Sequence, residues 1–380
     1  MQGSQTGLIP DAEAGAVLTI DLDAIAANWR TLRERAGTDT AAVVKADAYG
    51  TGIEKTVPAL LDAGCRVFFV AHLSEAKRVR AVATEATIYV LNGFPHGTGP
   101  TYANHDIRPV LGSLEEIEEW AAFCRSQGAR LPAAIHVDTG MHRLGLPLVE
   151  GLSLSNDARI KDFDLALLMS HLVSAEEPEN QINARQIAAF TALRGAMPGI
   201  PCSLANSSGT FLKGMQAFEL ARPGYALYGG NPTPHLSNPM KPVAHLDARV
   251  IQLRYALAGE TAGYNAAWTA PSRRRLATIS VGYADGYPRS AGSTNTNVGD
   301  AGIAIVAGRR CPFVGRVSMD LIIIDVTDVP EHEIHRGDIV TLIGTNLTID
   351  EVGRRAGTIG YEILTSLGRR YARHYRGGPR

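Results

Sequence analysis

The feature that most restricts the fold is a series of eight short apolar runs separated by amphipathic stretches. They begin near Ala41 (AAVVKA), Val67 (VFFVAH), Thr87 (TIYVLNG), Ile107 (IRPVLG), Ala133 (AAIHVDTG), Leu165 (LALLMSHL), Pro201 (PCSLANSS) and Ala221 (ARPGYALYGG). The runs are apolar throughout instead of alternating, as a strand covered on both faces requires. Between them lie helical patterns, clearest at 114–126 and 180–195. An earlier one at 23–36 puts Ile25, Ala26, Trp29 and Leu32 on one stripe, with Asp21 or Asp23 available as cap. Eight consecutive βα units predict an α/β fold, a (β/α)₈ TIM-type barrel; a doubly wound open sheet, the alternative, normally has fewer units.

The texture changes after Pro242. Runs rich in β-formers at 245–253, 275–283, 302–306, 321–326 and 339–343 are broken by Gly, Asn and Pro clusters, which reads as a C-terminal, mainly-β domain. One late helix is expected at 349–356, and the Pro-rich stretch 231–242 reads as a linker. The 380 residues, at roughly 150 per domain, are thus assigned to a barrel at 12–235 and a β-rich domain at 242–380.

Charge narrows the partners. Lys plus Arg number 37 against 38 for Asp plus Glu, so the basic field of a nucleic-acid or anionic-membrane binder is missing. No apolar run approaches the roughly 18 residues of a membrane span, and the N-terminus has no basic region leading into an apolar one. Cys65, Cys124, Cys202 and Cys311 are scattered without a C-x-x-C pair, so reduced thiols in a cytoplasmic protein are expected, with neither a zinc knuckle nor another metal site.

In a barrel the chemistry sits where strands meet their following loops. Lys45 directly follows the first run, where it either reaches solvent or acts as an amine in a desolvated pocket, and the loop after it (Ala46 to Gly52) is small-residue rich with one tyrosine, Tyr49. Later strand ends add Asp138 and Arg143, then His171, then Asn206 and Ser207, then Arg222, Gly224 and Tyr225. The loops after strands seven and eight are the usual phosphate site of such barrels, a role that Ser207, Gly224 and Tyr225 fit. Singly, each has an ordinary structural reading; their placement at successive strand ends is what those readings leave unexplained.

These residues resemble the alanine racemases, fold-type III enzymes that use pyridoxal 5'-phosphate (PLP). The stretch Ala42-Val43-Val44-Lys45-Ala46-Asp47-Ala48-Tyr49-Gly50 is similar to the family's PLP-attachment motif. Further similar motifs start at Asp138, Ala205, Ala221, Gly282, Gly315 and Ile359, across both domains. The resemblance implies that Lys45 holds PLP covalently and, once freed by substrate, acts as one general base. It implies that Ser207, the backbone of Gly224 and Tyr225, Tyr49 and Tyr361 bind the phosphate, with Asn206 in the same motif. It also implies that Arg222 faces the pyridine nitrogen and keeps it unprotonated.

Racemisation needs a second base on the opposite face of Cα. The family supplies a tyrosine from the partner subunit's C-terminal domain, and the matching position is Tyr264; Tyr283 is the rival, assigned by motif spacing to the entrance. His171, linked to Arg222, would tune the tyrosine. Met319 and Asp320, also from the partner chain, would bound the substrate pocket, and Arg143 would touch the substrate carboxylate. Where many members have a lysine that becomes carbamylated and supports the arginine, this chain has His136, so a neutral histidine, a bound anion or a water must take that place. The resemblance therefore implies a homodimer with shared sites that interconverts L- and D-alanine for peptidoglycan. A racemase of broader range (serine or lysine) and a non-catalytic PLP carrier are the alternatives; such carriers end near the end of the barrel, and this chain continues well beyond it.

Overall fold

The computed structural model describes residues 9–215, 218–297 and 299–379. The chain forms two compact units: one of residues 25–241, the other of residues 242–377 with the N-terminal segment as far as Ala24.

The first strand, β1 (Ala16–Asp21), alternates between buried and half-buried positions, the pattern of a sheet with one covered face. It pairs antiparallel with the strand Ala244–Ala256 and parallel with the strand Ala372–Arg376, both of the second unit. The sequence-based lower limit of the barrel, residue 12, thus lies before a strand that belongs to the β-rich unit. Asp21 then caps the helix Leu22–Ala36 by accepting the Ala24 N–H at 2.8 Å.

The barrel strands are β2 (Asp39–Thr40), β3 (Ala42–Val43), β4 (Val67–Val70), β5 (Thr87–Val90), β6 (Arg108–Leu111), β7 (Pro132–His136), β8 (Asp164–Met169), β9 (Cys202–Ser203) and β10 (Leu220–Ala221). β3 to β9 form a parallel sheet in sequence order, and β10 pairs in parallel with β2. Because β2 and β3 are two halves of one strand around Ala41, this second pairing closes the ring. The Ala41 N–H donates to Ala221 O at 2.9 Å and Val43 N–H to Pro223 O at 3.0 Å, while Arg222 N–H donates to Ala205 O at 2.8 Å. All eight apolar runs are therefore barrel strands. In β4, β5 and β6 three successive residues are buried after a half-buried first one, because the barrel interior and the helices cover both faces.

The helices between them follow from their apolar stripes and caps. Leu114–Gln127 buries Ile117, Trp120, Ala121 and Cys124, starts with Ser113 accepting the Glu116 N–H, and ends at Gly128 in the left-handed conformation. Gln181–Ala196 begins at Asn180 and buries Asn183, Gln186, Phe190 and Leu193.

The second unit is built on β11 (Ala244–Ala256), with β12 (Thr261–Ala262), β13 (Trp268–Thr269), β14 (Arg274–Ile279), β15 (Ile303–Val306), β16 (Arg309–Pro312), β17 (Ile322–Asp325), β18 (Ile339–Ile343) and β19 (Ala372–Arg376). The sheet order is β16-β15-β18-β11-β1-β19, and β14 joins β11 to β17. The expected late helix is Ile349–Arg355, and a further short helix, Gly360–Ser366, follows it. Among the described residues no helix is long and apolar enough to cross a membrane, and the four cysteines are free and buried.

Candidate active site

Lys45 follows β3 and opens a turn in which Ala46, Asp47, Ala48 and Tyr49 all have positive φ, between 52° and 56°. For residues with a Cβ that conformation costs roughly 1–2 kcal/mol each, so the surroundings must hold it. The Glu75 carboxylate accepts the Ala46 N–H at 2.7 Å, and with its other oxygen the N–H groups of Ala71 and His72. Asp47 pairs with Arg78 at 2.5 Å and accepts the Ile53 N–H at 3.2 Å. Tyr49 is buried and stacks on Tyr228, ring centroids 4.6 Å apart; Tyr228 in turn donates to Val43 O. The Lys45 amine is held below the ordinary lysine range by burial and then by the nearby Arg143 guanidinium, with Glu75 opposing them.

The loops after β9 and β10 meet at Ser207, whose Oγ accepts the N–H groups of Gly224 at 3.0 Å and Ala226 at 3.2 Å. Asn206 shapes the turn by accepting the Gly209 N–H through its side chain at 2.8 Å. Tyr225 is buried at the start of a short 3₁₀ turn. A Cβ on Gly224 would lie 2.5 Å from Tyr49 Oη, so only glycine lets this backbone and that hydroxyl approach together. Ser207 Oγ and the backbone N–H groups it accepts from thus converge at the position where barrels of this kind bind a phosphate.

Arg222, 4% exposed, lies at the bottom of this rim. It donates to Ser203 Oγ and, at 2.6 Å, to Ser170 O. Its partners are neutral, and burial alone pulls its pKa down to about 9, which leaves it cationic at neutral pH. That charge acts on two histidines. Burial first and Arg222 second depress His136 to about 4 and His171 to about 3, and Arg143 lowers both further. Both imidazoles are therefore neutral at pH 7, and the influence of Arg222 on His171 is exerted through space.

His136 ends β7, and the loop beyond it is organised by Asp138. The Asp138 carboxylate accepts the N–H groups of Gly140, Met141 and His142 at 2.7–2.8 Å. The exposed Arg143 lies on this loop and faces Lys45, His136 and His171 closely enough to disfavour the protonated form of each. Gly145 packs on His136: a Cβ there would lie 3.1 Å from the imidazole.

The structure thus brings together Lys45, Tyr49, Arg143, His171, Asn206, Ser207, Arg222, Gly224 and Tyr225 on the barrel. Tyr264, Tyr283, Met319, Asp320 and Tyr361 all lie in the β-rich unit. There the Tyr283 and Ala284 N–H groups donate to Ser318 O and Met319 O, and Arg370 bridges Asp285 and Asp320 at 3.3 and 2.9 Å. The turn bearing Tyr264 starts at Gly263, φ 78°, where a Cβ would come 3.0 Å from the Arg316 N.

Sequence reasoning did not single out Glu75, Ser170, Gln186, Ser203 or Tyr228. Gln186 is fully buried and donates to Thr139 Oγ1 and His171 O while accepting the Val173 N–H. A polar residue on the buried stripe of a helix, as Gln186 is at 180–195, was the available signal.

Comparison with known proteins agrees across both units. The family model described as "Alanine racemase, N-terminal domain" matches residues 20–232, and "Alanine racemase, C-terminal domain" matches 243–375. A protein named alanine racemase from Methylobacterium nodulans is 63% identical over 362 residues, covering 95% of this chain and 96% of its own. The crystal structure of alanine racemase from Bartonella henselae with covalently bound pyridoxal phosphate has a TM-score of 0.90 at 42% identity, over 96% of this chain and 100% of that one. The biosynthetic alanine racemase of Pseudomonas aeruginosa gives 0.87 at 35% identity, over 96% and 100%. With family matches covering most of the sequence and a relative this similar over nearly its whole length, the chain belongs to the alanine racemase family.

Proposed function

We propose that this protein interconverts L- and D-alanine with PLP as cofactor, supplying D-alanine for peptidoglycan in the cytoplasm, and that it works as a homodimer. The observation that carries the reading is the barrel rim, where a lysine with a depressed pKa, a phosphate-type cradle and a buried arginine with neutral partners stand at strand ends of one ring. In this assignment Ser207, Asn206, Gly224, Tyr225 and Tyr49 hold the phosphate, with Tyr361. Lys45 carries the cofactor covalently. Arg222 would face the pyridine nitrogen. When bound, PLP supplies an electron-withdrawing ring that acidifies the substrate Cα–H.

The protein's own groups then handle the proton. Lys45 Nζ, released by the substrate amine and favoured in its neutral form by burial and Arg143, takes or returns it on one face. Tyr264 Oη of the partner subunit does so on the other face. Arg222, cationic with neutral hydrogen-bond partners, would leave the ring nitrogen of bound PLP without a proton. Arg143 holds the substrate carboxylate with the N–H of Met319 of the partner subunit, Asp320 of the partner subunit bounds the pocket, Tyr283 lines the entrance, and His171 tunes the tyrosine. His136 supports Arg143 as a neutral imidazole.

The test is racemisation of L-alanine by the purified protein, alongside its visible spectrum. A visible band that borohydride fixes to Lys45 is expected. Lys45→Ala should lose the band and at least about a thousandfold in kcat. Covalent retention of PLP by that variant would contradict the assignment, and turnover of serine or lysine above that of alanine would favour the broader-range racemase.

A further inference from the structure

Neighbouring loops of the barrel are tied in pairs, each by one side chain. Glu75 joins the loops after β3 and β4 through Ala46, Ala71 and His72. Glu116 joins those after β5 and β6, accepting the Phe94 N–H at 2.8 Å and the Gly112 N–H at 2.6 Å. Gln186 joins the next pair, and Ser207 the last. Glu75 and Glu116 are equivalent in position, each the third residue of its helix, Leu73–Val82 and Leu114–Gln127. They differ in what they hold.

Glu116 receives amides of ordinary loops, whereas Glu75 receives the first amide of four consecutive residues in the left-handed conformation, directly after Lys45. Those four residues carry a conformational cost that their own sequence, without glycine, does nothing to relieve. A carboxylate accepting backbone N–H groups from two loops at once is the strong, charge-assisted kind of tie. The charge also faces the amine. Around Lys45 stand Glu75 from the helix after β4, Arg143 and His171 from the loops after β7 and β8, and Asp47 on its own turn, the last engaged by Arg78.

We propose that Glu75 is a positioning residue for Lys45: it clamps the left-handed turn that carries the lysine and sets a negative charge beside the amine. The inference rests on the reading that Lys45 bears the cofactor. In that attachment the amine nitrogen bonds to the aldehyde carbon of PLP and one water leaves, so only the unprotonated amine reacts.

The experiment strips the full-length enzyme of cofactor, adds PLP across a range of pH, and follows capture by the visible band and by mass after borohydride reduction. Glu75→Gln removes an anion that favours protonated Lys45, so the midpoint of capture moves to lower pH. Its kcat with saturating PLP falls on the order of tenfold, as a misplaced reacting group requires. Glu75→Asp keeps the charge and shortens the reach; it restores the midpoint while kcat stays reduced. Glu116→Gln leaves both at the wild-type values. An unmoved midpoint in Glu75→Gln, or an equal shift in Glu116→Gln, overturns the proposal, as does wild-type kcat in Glu75→Asp should the glutamine variant fail to fold. Capture of PLP by Lys45→Ala with an unchanged mass gain would instead overturn the lysine assignment on which it rests.

Discussion

The two halves of the proposed site are built in opposite ways. On the barrel, Arg222, Ser207, Tyr49 and Tyr225 are buried; hydrogen bonds fix Arg222 and Ser207, and Tyr49 is stacked on Tyr228. In the β-rich unit the corresponding residues stand out into solvent: Tyr264 is 67% exposed, Met319 53%, Tyr361 42% and Tyr283 41%. Large apolar and aromatic groups gathered on adjoining loops are what a surface offers when another surface is to cover it. The barrel half is preorganised in one chain; in the proposed homodimer the exposed half would be covered by a second chain.

Exchanging hydroxyls on the exposed half sharpens that contrast most. Tyr264→Phe should lower kcat by about a hundredfold or more, the usual contribution of a positioned acid or base, with folding intact because the side chain touches so little of its own chain. Tyr283→Phe should act mainly on KM. If steady-state kinetics showed the larger loss of kcat at Tyr283, the roles of the two tyrosines would be reversed.

On the buried half, Gly224→Ala is the corresponding probe. The added methyl would meet Tyr49 Oη at 2.5 Å, and Tyr49 is held against Tyr228. Overpacking of about 1–3 kcal/mol should weaken PLP binding by roughly tenfold or more, with a smaller effect on kcat at saturation. Equal PLP affinity in a fluorescence titration would show that the cradle is more pliant than described.

How much of this was legible in the sequence differs between the same two regions. The barrel could be read because each strand is apolar on both faces and each catalytic candidate directly follows a strand, so one dimension suffices to place Lys45, His171 and Arg222. The ties across loops could not be read, since Glu75 and Glu116 look like helix-surface acids until the neighbouring strand's loop is seen to meet them. The left-handed turn was hidden because Ala46-Asp47-Ala48-Tyr49 contains no glycine. In the β-rich unit, β1 went unassigned to its sheet because its partners lie more than two hundred residues away, although the alternation of Ala16, Leu18 and Ile20 with more open positions was visible. The helix Gly360–Ser366 is too short for periodicity to mark it.

A smaller effect concerns the histidines of the buried half. Their folded pKa values, about 4 for His136 and about 3 for His171, lie below the ordinary 6.5. Below that value the unfolded chain takes up protons that the folded imidazoles refuse, so stability should fall as pH drops from about 6.5 towards 4 and be flat above. His136→Asn should make the decline shallower in urea unfolding at pH 7 and pH 5; identical declines would count against a buried neutral imidazole. Smallest of all is the expected response to bicarbonate. His136 cannot be carbamylated, so degassing should leave kcat unchanged, and rescue by added bicarbonate would point to a lysine elsewhere.

The contrast between a buried and an offered half is tested most directly by mixing two defects. Lys45→Ala damages the barrel half and Tyr264→Phe the exposed half, and each homodimer should be nearly inactive. Unfolded and refolded together in equal amounts, the chains should form roughly half mixed dimers, in each of which one site receives both native residues. About a quarter of wild-type activity should then return, the product of one half and one half for a two-fold dimer. If mixed dimers form and activity stays at the level of the separate variants, both bases come from one chain and the shared site is wrong.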